Sequence, residues 1–207
     1  LTHKFWSLIW EALSSTQSST LEWILAGTNW LTRHHHRPDW HFVWQVLYQL
    51  EKQGNWPEKD VTPTDLGYQH IKEHSNSKAW AHVFQGLLAN TALNDTANRT
   101  DFINQGINWL KTRQDQPEWS HVWRTLIALH NDNRLPKATD IDSETLIQQG
   151  VNWLNKRQDQ SEWNYVWRTL LALTESDIDS AATKPQLTNL GLNWLQQQQD
   201  LMQKEVG

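Results

Sequence analysis

Apolar residues recur along this chain at the spacing of amphipathic helices. Positions i, i+3, i+4 and i+7 share one side of a helix. One such stripe is Trp119, Val122, Trp123 and Leu126, and it returns at Trp163, Val166, Trp167 and Leu170. Another stripe, in which glycine holds one position, is Ile103, Gly106, Ile107 and Leu110. The spacing predicts two kinds of helix: first-type helices, which carry the glycine, and second-type helices, which carry the aromatic pair.

The two kinds of helix alternate in a repeat. The 25-residue segments that begin at Gln105 and Gln149 are identical at 18 positions. More distant copies are marked by glycines at positions 27, 67, 106, 150 and 191, and an aromatic residue follows 17 positions after each of the first four. Between glycines the step varies from 39 to 44 residues. A constant segment followed by a variable one predicts a helical hairpin and a surface loop.

Local signals support these hairpins. Pro38 and Pro117 lie shortly before second-type stripes, and proline is favoured at the first position of a helix. Glycine inside a helix costs about 1 kcal/mol relative to alanine. Its recurrence at one register therefore predicts that the two helices touch there and leave no room for a side chain.

These patterns predict an all-α fold, an α-solenoid of stacked antiparallel helix hairpins with a period of about 40 residues. We treat residues 1–207 as a single repeat domain. Its units are a half unit at 1–20, full units at 21–60, 61–98, 99–142 and 143–184, and a half unit at 185–207. Trp6 and Trp10 form a second-type pair with no glycine helix before it. The array is therefore either cut at both ends or closed by atypical terminal helices.

Composition narrows the classes of function. Only 38% of the 207 residues are hydrophobic, but 15 are tryptophans, and a buried large aromatic covers roughly 150–250 Å². The net charge of −5 counts against a nucleic-acid binder, which is usually strongly basic. Cysteine is absent, which excludes disulfides and thiol catalysis. No membrane-spanning run or signal peptide is visible, and we expect a cytoplasmic protein.

A glycine, an aromatic residue three positions later and a small–aromatic pair in the second helix resemble the tetratricopeptide (TPR) repeat. The leucine that usually precedes the glycine in that family is present at Leu66-Gly67 and Leu190-Gly191. The chain departs from the family in its period, which is about 34 residues for TPR, and in carrying a tryptophan such as Trp119 at the small position. The resemblance implies a TPR-like solenoid that binds a protein or a peptide.

The tryptophan-rich pattern "GxNWL…EWxxVWRxLL" is also similar to degenerate repeats at the C-terminal ends of bacterial multidomain defence proteins. These include NLR-like STAND NTPases and proteins that join such arrays to TIR or protease effectors. The similarity implies that the array is the sensor that binds an invader's protein and releases the effector. The chain begins with leucine rather than methionine, which agrees with a piece of a larger protein.

The face of the first-type helices opposite the glycine is polar at almost every position. The candidate partner-binding residues on this face, called the polar row below, are Asn29, Thr32, Lys72, Asn104, Asn108, Lys111, Gln148, Asn152, Asn155 and Asn193. Amides donate and accept hydrogen bonds, so an aligned row could hold an extended peptide or a helix. Alternatively, the row bonds between neighbouring helices or only faces water. We expect Asn108, Lys111, Asn152 and Asn155 to share one continuous surface.

Other side chains raise further kinds of site. Tryptophans can stack on single-stranded bases, but their strict apolar register favours a core. The histidines that suggest a metal site are His34, His35, His36 and His41, together with His70 and His74. No carboxylate or cysteine spacing completes such a site, so we predict polar turn residues and no bound metal.

Arg124 and Arg168 follow the last tryptophan of their repeats. We predict that each pairs with a carboxylate of an adjacent repeat, for instance Glu118 or Glu162, at the surface or half-buried. The alternative is a row of arginines that binds acidic partners.

No catalytic pattern is present: the chain has no glycine-rich phosphate loop, nucleophile elbow or His–Glu metalloprotease motif. We therefore expect a protein- or peptide-binding scaffold without a cofactor, and not an enzyme. The resemblances make it the recognition or regulatory part of a larger bacterial protein. One alternative is a self-association module, whose exposed ends stack on other copies. Another is an RNA-binding helical repeat, against which the acidic balance counts.

Overall fold

The structure is a computed structural model that describes residues 21–57, 61–89, 96–136, 142–176 and 183–206. Over those residues it is all-helical, which confirms the all-α prediction. The helices in these ranges are α1 (Leu21–Arg33), α2 (Trp40–Lys52), α3 (Pro63–Glu73), α4 (Trp80–Ala89), α5 (Thr96–Thr112), α6 (Trp119–Asn131), α7 (Ser143–Lys156), α8 (Trp163–Ser176) and α9 (Thr183–Val206). Odd-numbered helices are first-type and even-numbered helices are second-type. The half unit predicted at 1–20 lies outside the described residues.

Helix starts follow from local chemistry, with one correction. The Thr62 hydroxyl accepts from the Asp65 N–H and the Asp65 carboxylate accepts from the Thr62 N–H, which caps α3 reciprocally. The predicted proline positions are wrong by two residues, because α2 begins at Trp40 and α6 at Trp119. Pro117 instead lies in a turn closed by a hydrogen bond from the Trp119 N–H to the Gln116 carbonyl, at 3.1 Å.

An indole closes each hairpin. The first residue of α2, α4, α6 and α8 is a tryptophan, and its ring N–H donates to a carbonyl in the last turn of the preceding first-type helix. The bonds are Trp40 to Leu31 at 2.9 Å, Trp80 to Ile71 at 2.9 Å, Trp119 to Leu110 at 3.1 Å and Trp163 to Leu154 at 2.9 Å. These carbonyls have lost their helical partners, so the indole satisfies them.

The recurring glycines mark close contacts between consecutive hairpins. A Cβ at Gly67 would lie 2.9 Å from the Trp44 ring, and one at Gly150 would lie 2.6 Å from the Trp123 ring. The prediction of a close helix contact is confirmed, but the ring belongs to the preceding hairpin and not to the glycine's own. The Trp44 ring N–H also donates to the Pro63 carbonyl at 2.8 Å. One indole therefore occupies the space over Gly67 and also forms a hydrogen bond with the first residue of α3.

The described helices fall into two compact units, one ending at Trp109 and the other beginning at Leu110. In the first unit α1 packs on α2 and α3, and α2 packs on α3 and α4. In the second unit α6 packs on α7 and α8, and α7 packs on α8 and α9. Helices α1, α2, α6 and α7 thus each contact the next two helices along the chain, which is the packing of stacked hairpins. A single domain over residues 1–207 stays a prediction.

Candidate partner-binding site

All ten residues of the polar row are exposed, and in most of these helices apolar residues between them are buried. In α7, for example, Asn152 and Asn155 are exposed, whereas Trp153 and Leu154 between them are 3% and 0% exposed. The alternation follows the helical period, because the indole faces the core and the amides face away. The first-type helices therefore present an exposed polar face, and its role in binding stays a prediction.

Several row side chains bond within their own helix. Asn155 donates to the Val151 carbonyl at 2.9 Å, Gln148 donates to the Asn152 side chain at 3.2 Å, and the Thr32 hydroxyl donates to the Thr28 carbonyl at 2.9 Å. These bonds do not link neighbouring helices, so they do not support the alternative that the row ties the hairpins together. A single surface shared by Asn108 with Lys111, Asn152 and Asn155 stays a prediction, because Asn108 belongs to the first unit and the others to the second.

A basic cavity of about 320 Å³ lies in the second unit, where the turn after α5 meets the end of α7. Its lining residues are Lys111, Thr112, Gln114, Asp115, Trp153, Lys156 and Arg157. Three of them are cationic and only Asp115 is anionic, so the cavity has a positive balance at neutral pH. One residue of the polar row, Lys111, thus lies in a positively charged recess.

Trp153, one of the residues that line this basic cavity, has a buried donor without a partner among the described residues. The indole is 3% exposed, and its ring N–H has no hydrogen-bond partner within the described part of the chain. At the corresponding position Trp109 donates to the Ser75 carbonyl, and Trp194 to the Gln158 carbonyl, each at 3.2 Å. A buried donor without a partner is costly.

The first unit has a corresponding cavity of about 240 Å³. It is lined by Leu31, Thr32, His35, Trp40, Leu66, Gln69, His70, Glu73 and His74. His70 replaces the tryptophan of the other repeats and stacks on Trp40, with ring centroids 4.0 Å apart. It is 2% exposed, and among the described residues neither ring nitrogen has a partner. Burial, and then the charges of His74, His35 and His41, lower the pKa of His70 to about 3.

The histidines pack as rings. His35 stacks face to face on His74 at 4.2 Å, and His41 stacks on His82 at 4.1 Å. Stacked imidazoles present faces and not lone pairs to each other, which is unsuited to shared metal ligation. In the ranges given above, no group of three or more His, Cys, Asp or Glu side chains could hold a metal ion.

Most tryptophans of the described residues are buried in the core, as their register predicts. The indoles of Trp80 and Trp109 stack at 5.2 Å and 1°, and those of Trp119 and Trp153 at 5.4 Å and 8°. All four of these rings are less than 9% exposed. They have no free face for a nucleic-acid base, so the base-stacking alternative is wrong for these residues.

The arginines do not make the predicted ion pairs. The Arg124 guanidinium lies over the Tyr165 ring, 5.6 Å from its centroid, in a cation–π contact. Arg124 and Arg168 line one exposed cavity together with Tyr165. Within the described ranges, neither arginine forms an ion pair with Glu118 or Glu162. The Arg124 guanidinium therefore contacts the Tyr165 ring and not the carboxylate of Glu118 or Glu162.

Sequence reasoning missed the orphan donor of Trp153, because Trp109 and Trp194 hold the corresponding positions and only the structure shows that they bond a turn carbonyl and Trp153 does not. Within the described ranges, none of the helices has the length and hydropathy that a membrane crossing requires. Comparisons with family models, curated proteins and solved structures find no match to this chain.

Proposed function

We propose that this chain is a helical-repeat scaffold that binds a protein or an extended peptide on the first-type helices of its second unit. The observation that carries the proposal is the basic cavity, which Lys111 of the polar row lines together with Lys156, Arg157 and the buried Trp153. Ligand recognition at such a surface needs fixed donors in a recess and adaptable polar groups beside it.

The chemistry of the cavity favours a carboxylate. Lys111, Lys156 and Arg157 supply cationic donors. Charge-assisted hydrogen bonds to carboxylates are stronger than those between neutral groups. The preferred ligand is therefore a segment with an Asp or Glu side chain or a free C-terminus, while Asn152 and Asn155 bond its backbone.

The resemblance to C-terminal arrays of bacterial defence proteins makes the proposal more specific. In that setting the scaffold is the cytoplasmic sensor of a larger protein and recognises a protein of the invader. It carries out no catalytic step of its own and needs no cofactor.

Affinity selection from a phage-displayed library of random peptides tests the binding proposal. We expect the chain to enrich peptides that share an acidic residue or an acidic terminus. The triple variant Lys111→Ala, Asn152→Ala, Asn155→Ala should lose the enriched peptides and keep its melting temperature, because all three side chains are exposed.

A matched control replaces two amides and one lysine elsewhere, Gln45→Ala, Gln85→Ala and Lys184→Ala, all of them exposed. This control should bind the selected peptides as well as the original chain does. Equal binding by the triple variant, or enrichment of basic peptides, would show that the cavity is not the site.

A further inference from the structure

The second unit has an open apolar groove between α8 and α9. It has a volume of about 400 Å³, and Trp163, Trp167, Leu171, Leu192, Trp194 and Leu195 contribute to its lining. Leu192 and Leu195 on α9 are 60% and 55% exposed. The corresponding residues of α7, Val151 and Leu154, are 1% and 0% exposed. The same two positions are thus buried in α7 and exposed in α9.

The equivalent groove between α6 and α7 is filled by a second-type helix. Helix α8 packs on both α6 and α7, and a Cβ at Gly150 would meet Leu170 of α8 at 3.1 Å. In the first unit, α4 packs in the same way on α2 and α3. The fold therefore specifies what fits the open groove, namely a helix with the apolar register of α4 and α8.

Helix α9 does not turn back to fill its own groove. The earlier first-type helices α1, α3, α5 and α7 end six residues after their glycine, at Arg33, Glu73, Thr112 and Lys156. Helix α9 continues from Thr183 to Val206, nine residues past the equivalent Gln197. The segment that makes the turn elsewhere is helical here, so no second-type helix among the described residues covers the groove.

We propose that residues 5–13 of a second copy of this chain dock in the groove. Their sequence, FWSLIWEAL, carries the second-type register at Trp6, Ile9, Trp10 and Leu13. The matching residues of α8 are Trp163, Val166, Trp167 and Leu170. Docked in this register, the segment gives Leu192 and Leu195 the cover that α8 gives Val151 and Leu154.

Charge favours the same occupant. Arg168 comes beside Arg124 in one cavity, an unfavourable pairing of like charges. In the docked segment the equivalent of Arg168 is Glu11. On docking, Glu11 therefore lies beside Arg168 of the receiving copy, where the two opposite charges attract each other.

A second-type helix can contact two first-type helices at once. In α8, Trp163 donates to the Leu154 carbonyl of α7, and Trp167 donates to the Leu187 carbonyl of α9 at 2.8 Å. If Trp6 contacts the receiving copy, Trp10 therefore stays available to contact a first-type helix of its own chain. The contact joins one end of a copy to the other end of the next, and such head-to-tail contacts form open assemblies unless they close into a ring.

Sedimentation velocity over a wide range of protein concentration tests this inference. We expect the mass of the full chain to rise with concentration beyond that of a dimer. Leu192→Asp with Leu195→Asp should weaken association about tenfold or more, because buried leucines become charged groups. Both positions are exposed in a single copy, so the melting temperature of the dilute protein should not fall.

A charge exchange and a peptide identify the occupant. Arg168→Glu or Glu11→Arg alone should weaken association about threefold, and the two together should restore it. A labelled peptide of residues 1–20 should bind the original chain and not the double leucine variant. The control Phe42→Asp with Val61→Asp changes two apolar residues that are exposed elsewhere and should associate normally.

A single-chain mass at every concentration, together with no binding of the peptide, would overturn the inference. Association that survives the double leucine variant would also overturn it. Neither result bears on the basic cavity, because the peptide selection uses different residues.

Discussion

At the scale of the residue, one ring position decides much of the local chemistry. Three residues after the glycine, Trp109 and Trp194 combine stacking with a hydrogen bond to a turn carbonyl. Trp153 keeps the stacking contact without that bond, and His70 stacks with both ring nitrogens unpartnered among the described residues. A stacked ring is thus common to these repeats, and the repeats differ in whether its nitrogen atoms have a hydrogen-bond partner.

His70 makes stability depend on pH. Because its pKa falls to about 3 in the folded chain, the folded state keeps the ring neutral while the unfolded chain titrates near 6.5. The unfolded state therefore binds more protons between these values, and the stabilisation present above pH 6.5 is lost as the pH falls. We expect the unfolding free energy to be about 2 kcal/mol lower at pH 5 than at pH 7.5 from this group alone.

Urea unfolding at the two pH values measures this effect. His70→Phe keeps a neutral ring for stacking on Trp40 and should remove most of the difference. His36→Phe changes an exposed histidine and should leave the difference in place. A pH dependence that is the same in His70→Phe and the original chain would contradict the assignment. His35, His41, His74 and Glu73 are the other titratable groups near His70.

At the scale of the element, each hairpin is closed in the same way. A six-residue connection joins each first-type helix to its second-type helix, as at 34–39 and 157–162, and the leading indole bonds back across it. The constant length follows from that bond, because the indole reaches its carbonyl only from one register. The variable loops lie between hairpins, where no such bond limits their length.

Removing one closing bond should weaken a hairpin measurably. Trp163→Phe loses the bond to the Leu154 carbonyl and part of a ring that is 1% exposed. We expect a loss of about 2–3 kcal/mol in unfolding free energy by urea titration. Tyr165→Phe, at a ring that is 51% exposed, should change it by less than about 0.5 kcal/mol. Similar effects of the two variants would show that the indole bond contributes little.

At the scale of the whole molecule, stability is a sum of hairpins and of contacts between neighbours. In the first unit α1 and α2, and in the second unit α6 and α7, each pack on the next two helices along the chain. Stacked repeats of this kind respond locally to damage, because a hairpin loses only the contacts with its neighbours. A substitution in one unit should therefore lower the local stability of that unit and leave that of the other unchanged.

Gly150→Ala tests this local response. The new Cβ would lie 2.6 Å from the Trp123 ring and 3.1 Å from Leu170, both in a packed core, so we expect a cost of about 1–3 kcal/mol. Hydrogen exchange should show lost protection in α6 to α8 and unchanged protection in α1 to α4.

Asn152→Ala introduces the same side chain at an exposed position of the same helix and should leave the exchange pattern as it is. Equal loss of protection in both units after Gly150→Ala would mean that the chain unfolds as one cooperative body.

The sequence by itself determined the helices, their pairing and the buried tryptophan stripe, because helical periodicity and hairpin spacing are local properties of the chain. It also identified the exposed amides of the polar row, since they lie opposite the glycine on the same helices. Only the tertiary structure decided that the ring over Gly150 comes from the preceding hairpin, that Trp153 lacks the carbonyl its counterparts reach, and that Leu195 is uncovered. Each of these depends on the distance between atoms of different hairpins, which the repeated pattern leaves undetermined because nearly identical segments meet different neighbours.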